Sequence, residues 1–189
     1  MPFDHFGRIA GFYDRAAQFS LDEPFLGLVS PTPESIVLDA GGGTGRVAAA
    51  LRHRVRKVVV ADLSIGMLRY AAGKDLTAIC TPAEHLPFPA GTFDRVIMMD
   101  ALHHVLDQKQ TAGELWRVLA PGGRLLIVEP DIHRFAVKLI ALGEKLLLMR
   151  SHFLSGEKIS ALFEDQNAQV RVVIYEYNVT ILVKKKAGK

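Results

Sequence analysis

From residue 36 onward, short runs that are apolar on both faces alternate with stretches of helical spacing. Residues 35–40 (SIVLDA), 57–62 (KVVVAD), 76–80 (LTAIC), 95–100 (RVIMMD) and 124–130 (RLLIVEP) have the length and continuity of strands buried on both sides of a sheet. Ala112, Leu115, Trp116 and Leu119 fall at i, i+3, i+4 and i+7, one face of a helix, and APGG at 120–123 supplies the breakers before the next strand. This alternation predicts parallel strands joined by right-handed crossovers, with helices on both faces of one sheet. The end of the chain departs from the rhythm. Residues 169–177 and 179–186 are β-branched, alternating and separated by little more than Asn178, which predicts an antiparallel hairpin. The expected architecture is an α/β doubly wound, mostly parallel seven-stranded sheet, Rossmann-like, with a C-terminal antiparallel hairpin.

Composition narrows the setting. A chain of 189 residues is most simply one domain, and 49% hydrophobic residues with 23% charged ones suffice for a globular core. The lone Cys80 has no internal disulfide partner, and the opening MPFDHFGRIAGFYDRA has polar residues where a signal peptide needs an apolar core, so a reduced, cytoplasmic setting is expected. The formal charge is +3, and much of the basic excess lies in KKKAGK at 184–189, which has no interleaved aromatic residues. A nucleic-acid partner is therefore not expected. The most apolar stretch, FAVKLIALGEKLLLM at 135–149, is interrupted by Lys138, Glu144 and Lys145 and falls short of the ~18 residues of a membrane span. A buried crossover helix, the lining of an apolar-substrate pocket, a membrane-surface segment and a homodimer interface all remain open for it.

The candidate chemistry begins at residues 39–45, DAGGGTG. In a doubly wound sheet the loop after the first strand lies in the ligand crevice. There Gly41 and Gly43 can take positive φ and bring bare main chain to a ligand, and the helix opening near Arg46 offers free N–H groups to a carboxylate or phosphate. A dinucleotide fingerprint would need glycine at 46, where the chain has Arg46, and the Lys-Ser/Thr pair of a P-loop is missing after Gly45. Asp39 adds a negative charge that a pyrophosphate would not welcome. Asp62 closes the second strand, about 20 residues after the loop, where a carboxylate accepts both hydroxyls of an adenosine ribose. The alternative role of helix cap belongs more naturally to Ser64.

VLDAGGGTG, ADLSIGMLRYA, AEHLPFPAGTFD, ALHHV and LAPGGRLLIVEP, in that order, resemble the successive motifs of class I S-adenosylmethionine-dependent methyltransferases, and most of all the branch of the ubiquinone and menaquinone biosynthesis methyltransferases. The resemblance runs from about Phe6 to Pro130. It implies S-adenosylmethionine as cofactor, with Asp39 and the loop of Gly41, Gly42, Gly43 and Gly45 on the methionine part and Asp62 on the ribose. Leu63 and Met67 would flank the adenine, the Ala83 amide would meet its ring nitrogens, and Asp100 would line the pocket beside the sulfonium. Tyr13, in GFYDRAA, resembles the N-terminal Tyr-Asp element that folds over the methionine moiety, on a cap helix at about 3–20. One position departs from the pattern. Where relatives carry Gly-Asp-Ala-Glu, this chain has Thr81-Pro82-Ala83-Glu84, so the acid that accepts the adenine amino group is replaced by Pro82. Glu84 is the candidate to compensate, with an exposed loop carboxylate as the other reading.

Methyl transfer from a sulfonium is an in-line displacement of an activated donor, so alignment and exclusion of water come first. An oxygen or carbon nucleophile must still lose a proton. His103 and His104, after the fourth strand, stand at the right end of the sheet to take it, and His104 is the preferred candidate; a turn histidine bonded to nearby backbone is the competing role. Asp131 and His133, after the fifth strand, are candidate substrate contacts at the same rim. No metal site is expected from the spacing. Two functions follow: a methyltransferase acting on a small or lipid-like acceptor, or a catalytically silent S-adenosylmethionine-binding or interaction protein.

Overall fold

The computed structural model describes residues 4–16, 19–133, 151–164, 168–175 and 178–187. Seven strands form one sheet: β1 (Ile36–Ala40), β2 (Lys57–Asp62), β3 (Thr77–Cys80), β4 (Phe93–Met99), β5 (Leu119–Pro130), β6 (Gln169–Tyr175) and β7 (Asn178–Lys184). Their order is β3-β2-β1-β4-β5-β7-β6. β1 to β5 pair in parallel, β7 runs antiparallel to β5, and β6 antiparallel to β7. The predicted hairpin is therefore present, and Asn178 belongs to its second strand. The chain reverses its direction of travel across the sheet between β1 and β4, so the loops following these two strands open into one crevice at the carboxyl edge.

Among the described residues the helices are α1 (His5–Ala16), α2 (Glu23–Val29), α3 (Arg46–Leu51), α4 (Ile65–Ala72), α5 (Gln108–Val118) and α6 (Gly156–Ala161), with a short 3₁₀ turn at Leu102–His104. Strand periodicity sorts the core onto two faces. Leu38, Val59, Val96, Met98 and Ile127 pack with Ala112, Leu115 and Val118 of α5. Val37, Val60, Ile97 and Leu126 pack with Val29 of α2, Val47 and Leu51 of α3 and Leu68 of α4 on the other face. Burying each such side chain is worth ~1.5–3 kcal/mol.

Two boundaries differ from the sequence reading. Leu119 continues the helical spacing, yet α5 ends at Val118 and Leu119 already pairs with Phe93 in β5. The breakers at 120–123 lie inside that strand as an irregularity: register shifts between Phe93 and Arg95, and Gly122 takes a φ of 77°. The apolar run at 135–149 lies outside the described residues.

α1 docks on α4 through glycine. A Cβ on Gly66 would stand 2.4 Å from the Cα of Gly7, so the two main chains touch where they cross. Asp4 ties the crossing: its Oδ1 accepts from Gly7 N at 2.7 Å, and its Oδ2 from Ser64 Oγ at 3.0 Å and Gly66 N at 3.3 Å.

Candidate functional site

The loop after β1 is shaped by three glycines of positive φ, Gly41 at 66°, Gly43 at 54° and Gly45 at 74°. Gly41 N donates to the Ala61 carbonyl at 2.7 Å, folding the loop back over the end of β2. A Cβ on Gly41 would lie 2.5 Å from that of Ala101, so a side chain is excluded there by space as well as by φ. Gly43 is different. Its missing Cβ looks towards Asp62 Oδ2 at 3.9 Å and Met67 Sδ at 4.0 Å, at a place where main chain and carboxylate face one another.

Asp62 is locked in that position. Its Oδ2 accepts from Gly43 N and its Oδ1 from Ser64 N, both at 2.8 Å. Burial pushes its pKa above the ordinary carboxylate value, and the amide hydrogen bonds pull against that. Each oxygen retains a second lone pair for a hydroxyl. Ser64 takes the helix-cap role, its Oγ accepting from Met67 N at 3.1 Å. Leu63 is exposed at the rim and Met67 is buried beneath it. A glycine-rich loop, a fixed carboxylate at the neighbouring strand end and an apolar flank together fit an adenosyl amino acid such as S-adenosylmethionine.

Asp39 lies beneath the loop and not at its mouth. Alternation along β1 turns it to the side of α3, where it is 1% exposed and accepts from Ala48 N at 3.2 Å. Burial raises its pKa to about 7. At the end of β3, Thr81 N donates to the Asp62 carbonyl at 2.9 Å, and the Pro82 carbonyl accepts from His85 N at 3.1 Å, leaving Ala83 half-buried in the turn. Glu84 is not an exposed loop carboxylate. It is buried, and its Oε1 accepts from Leu106 N at 2.7 Å and Asp107 N at 3.3 Å, which commits that oxygen to the start of α5. The side chain of Tyr13, on α1, lies outside the described residues.

The opposite wall comes from β4 and β5. Asp100 takes a left-handed φ of 52°, with its N–H on the Val128 carbonyl at 2.9 Å. Its Oδ2 pairs with Arg46 Nη2 at 2.6 Å, joining the first residue of α3 to the end of β4 across the mouth. His103 and Glu129 are both buried, and His103 Nδ1 lies 2.5 Å from Glu129 Oε2. Glu129 Oε1 accepts from Ala101 N at 3.0 Å and Leu102 N at 2.8 Å. His104 packs 3.9 Å from the His103 ring and edge-on to Phe6 at 4.8 Å, with Nδ1 3.3 Å from Ser151 Oγ. Burial, then its neighbour His103, drives the His104 pKa down to about 3. Asp131 is buried and accepts from the N–H of exposed His133 at 3.0 Å.

Three members of this constellation were missed in the sequence: Arg46, Asp4 and Glu129. Only Glu129 left a signal, as an acid closing the otherwise apolar run LLIVEP, where a buried charge needs partners.

Residues 38–127 match the methyltransferase domain family. That match covers 90 of the chain's 189 residues, just under half. A demethylmenaquinone methyltransferase of Corynebacterium urealyticum is 38% identical over 107 residues, covering 55% of this chain and 46% of the relative. The chain thus spans about half the length of the curated relatives it matches. Among solved structures, the YcgJ protein of Bacillus subtilis superposes with a TM-score of 0.76 at 18% identity, over 87% of this chain and 97% of that one. A SAM-dependent methyltransferase of Thermotoga maritima gives 0.74 at 21%, over 96% and 98%. These likenesses establish the fold. The matched residues include the glycine loop, Asp62, Ala83, Glu84, Asp100, His103 and His104, while Glu129 and Asp131 stand just beyond them.

Proposed function

We propose that the chain is an S-adenosylmethionine-dependent methyltransferase, working as one domain on a small or lipid-like acceptor. The single observation that carries this reading is the Asp62 carboxylate fixed by the Gly43 and Ser64 amides against a loop with glycine at four of its five positions. When bound, S-adenosylmethionine would supply a methyl group on a sulfonium that departs as a neutral thioether. Asp62 binds the ribose hydroxyls, the main chain of Gly41 to Gly45 takes the methionine end, and Met67 and Leu63 bracket the adenine beside Ala83. The Arg46–Asp100 pair flanks the reacting end, and Tyr13 is assigned to the cover over it.

Lipid-like acceptors are favoured by the activity for which the Corynebacterium relative is named, demethylmenaquinone methylation. Support within the chain comes from a cavity of about 330 Å³ lined by Val105, Leu106, Gln108, His152, Phe153 and Leu154. Phe153 also stacks on His103, which places this hollow next to the histidines. No helix among the described residues is long and apolar enough to cross a membrane. The exposed, unpaired thiol of Cys80 suits the reducing cytoplasm to which we assign the chain.

Calorimetry with S-adenosylmethionine and S-adenosylhomocysteine tests the first step. Both bind if the reading holds, and no heat at millimolar ligand overturns it. Transfer of labelled methyl to reduced 1,4-naphthoquinone then tests the acceptor class.

A further inference from the structure

Lys74 follows the end of α4 and joins three elements that are far apart in sequence. Its carbonyl accepts from Arg52 Nη1, just beyond α3. Its ammonium bonds the Asp14 carboxylate, near the end of α1, and donates to the Thr44 carbonyl, inside the glycine loop, at 2.8 Å. An ammonium has three donors and no acceptor, so it can serve both oxygens at once. In a regular helix the Thr44 carbonyl would take the amide four residues further on. That amide, Ala48 N, donates instead to the buried Asp39 at 3.2 Å, and Lys74 takes its place on the carbonyl. Both charged side chains are half-buried, so water and salt screen the pair less than they would on the open surface.

The first turn of α1 is held differently. Asp4 binds Ser64 and Gly66 at the start of α4, and Gly7 lies against Gly66. Those contacts end on α4, whereas the Lys74 contact carries through to the loop after β1. We propose that Lys74 is a positioning residue that ties α1 to the glycine loop, so that ligand binding on the loop and docking of α1 are energetically coupled. The tie stands on the contacts above; the coupling rests on the methyltransferase reading, which puts S-adenosylmethionine on that loop. A ligand that fixes the loop keeps the Thr44 carbonyl within reach of Lys74, and Asp14 with it. Docking of α1 returns the same factor in ligand affinity, because coupling is reciprocal.

Amide hydrogen exchange of α1, read by mass spectrometry with and without saturating S-adenosylhomocysteine, tests the coupling. In the wild type the ligand should slow exchange across this helix about tenfold. Binding without that slowing overturns the proposal. Lys74→Met keeps the aliphatic stem and removes the ammonium, so at saturating ligand the glycine loop should still be protected and α1 should not. A residue that only stabilised the fold would, when replaced, lower the melting temperature and leave the ligand's effect on α1 intact; that result also overturns the proposal. Asp14→Ala spares the Thr44 contact and should abolish the effect on α1 in the same way. In calorimetry each substitution should weaken S-adenosylhomocysteine binding about fivefold, and the two together no further, because both cut one link. Additive losses refute the tie as the route of coupling. If the wild-type chain binds no S-adenosylhomocysteine, the methyltransferase reading falls and takes the coupling with it. Ligand-free exchange then still decides the tie: Lys74→Met should speed exchange of α1, and unchanged rates refute it.

Discussion

The wall formed by the loops after β1 and β2 is assembled from main chain and carboxylates held by its amides, whereas the wall formed after β4 and β5 is assembled from side chains distant in sequence. On the first, Gly43 and Ser64 lend amides to Asp62 across 19 residues and 2 residues respectively. On the second, Glu129 reaches 26 to 28 residues back to His103, Leu102 and Ala101. Main-chain sites survive changes of side chain as long as φ is allowed, so a fixed cofactor can be held by the same spacing in many sequences. Side-chain sites can be retuned residue by residue, as a varying acceptor requires.

Stability offers the severest test of the contrast. Glu129→Ala would leave His103 Nδ1 without its partner and two buried amides without their acceptor, and breaking a buried pair of this kind costs ~3–5 kcal/mol. Urea unfolding should register the loss as a lower midpoint at unchanged slope. A drop below ~1 kcal/mol would mean that the β4–β5 wall does not depend on this carboxylate.

The next effect appears with pH, and on the β1 wall. Asp39, raised to about 7 by burial, keeps its proton in the folded chain where the unfolded chain, with a carboxyl near 3.8, has released it. Stability therefore falls as pH rises from about 4 to 7, and above 7 the full penalty remains, on the order of 4 kcal/mol. Asp39→Asn keeps an oxygen for Ala48 N–H and has nothing to ionise. Its melting temperature should exceed that of the wild type at pH 8 and lose most of that advantage at pH 5. A difference constant with pH would place Asp39 in a more polar setting than its burial indicates.

The contrast also explains how much was legible in the sequence. Gly41, Gly43 and Asp62 could be placed because strand periodicity fixes where each strand ends and glycine is tied to its φ. The parallel, doubly wound sheet followed from the same alternation, and the hairpin from β-branched runs too close together to pair in parallel. Leu119 misled because a helix-compatible spacing carried one step past the helix, into a strand whose pairing with Phe93 is tertiary. Glu84 misled because nothing local announces that its oxygen serves Leu106 and Asp107. Nothing local separates His103 from His104, because Glu129, which pairs with His103, lies at the end of another strand.

On the β2 side, Asp62→Ala should weaken S-adenosylhomocysteine binding by an order of magnitude or more. Ribose hydroxyls would lose a charged acceptor, and the Gly43 amide would lose the group that holds the loop. Calorimetry on the folded variant gives the dissociation constant. An unchanged value would remove Asp62 from the site and with it the observation that carries the function.

The smallest predicted change is a gain. Pro82 offers neither a side-chain acceptor nor an N–H, at the position where the resembling methyltransferases carry an acid for the adenine amino group. Its carbonyl holds His85 N, a bond that any residue can keep, and Thr81 N still anchors the turn to Asp62. Pro82→Asp therefore adds an acceptor without removing a contact of the turn, worth ~0.5–1.5 kcal/mol, or up to about tenfold in S-adenosylmethionine affinity. Releasing φ from the proline ring should cost ~0.4–1 kcal/mol of stability, read separately as a lower melting temperature of the ligand-free chain. Tighter binding together with that lower melting temperature would place the adenine against the turn after β3. Unchanged affinity would place it elsewhere, because an ionised acid at residue 82 can be indifferent to the ligand only if the amino group does not reach it.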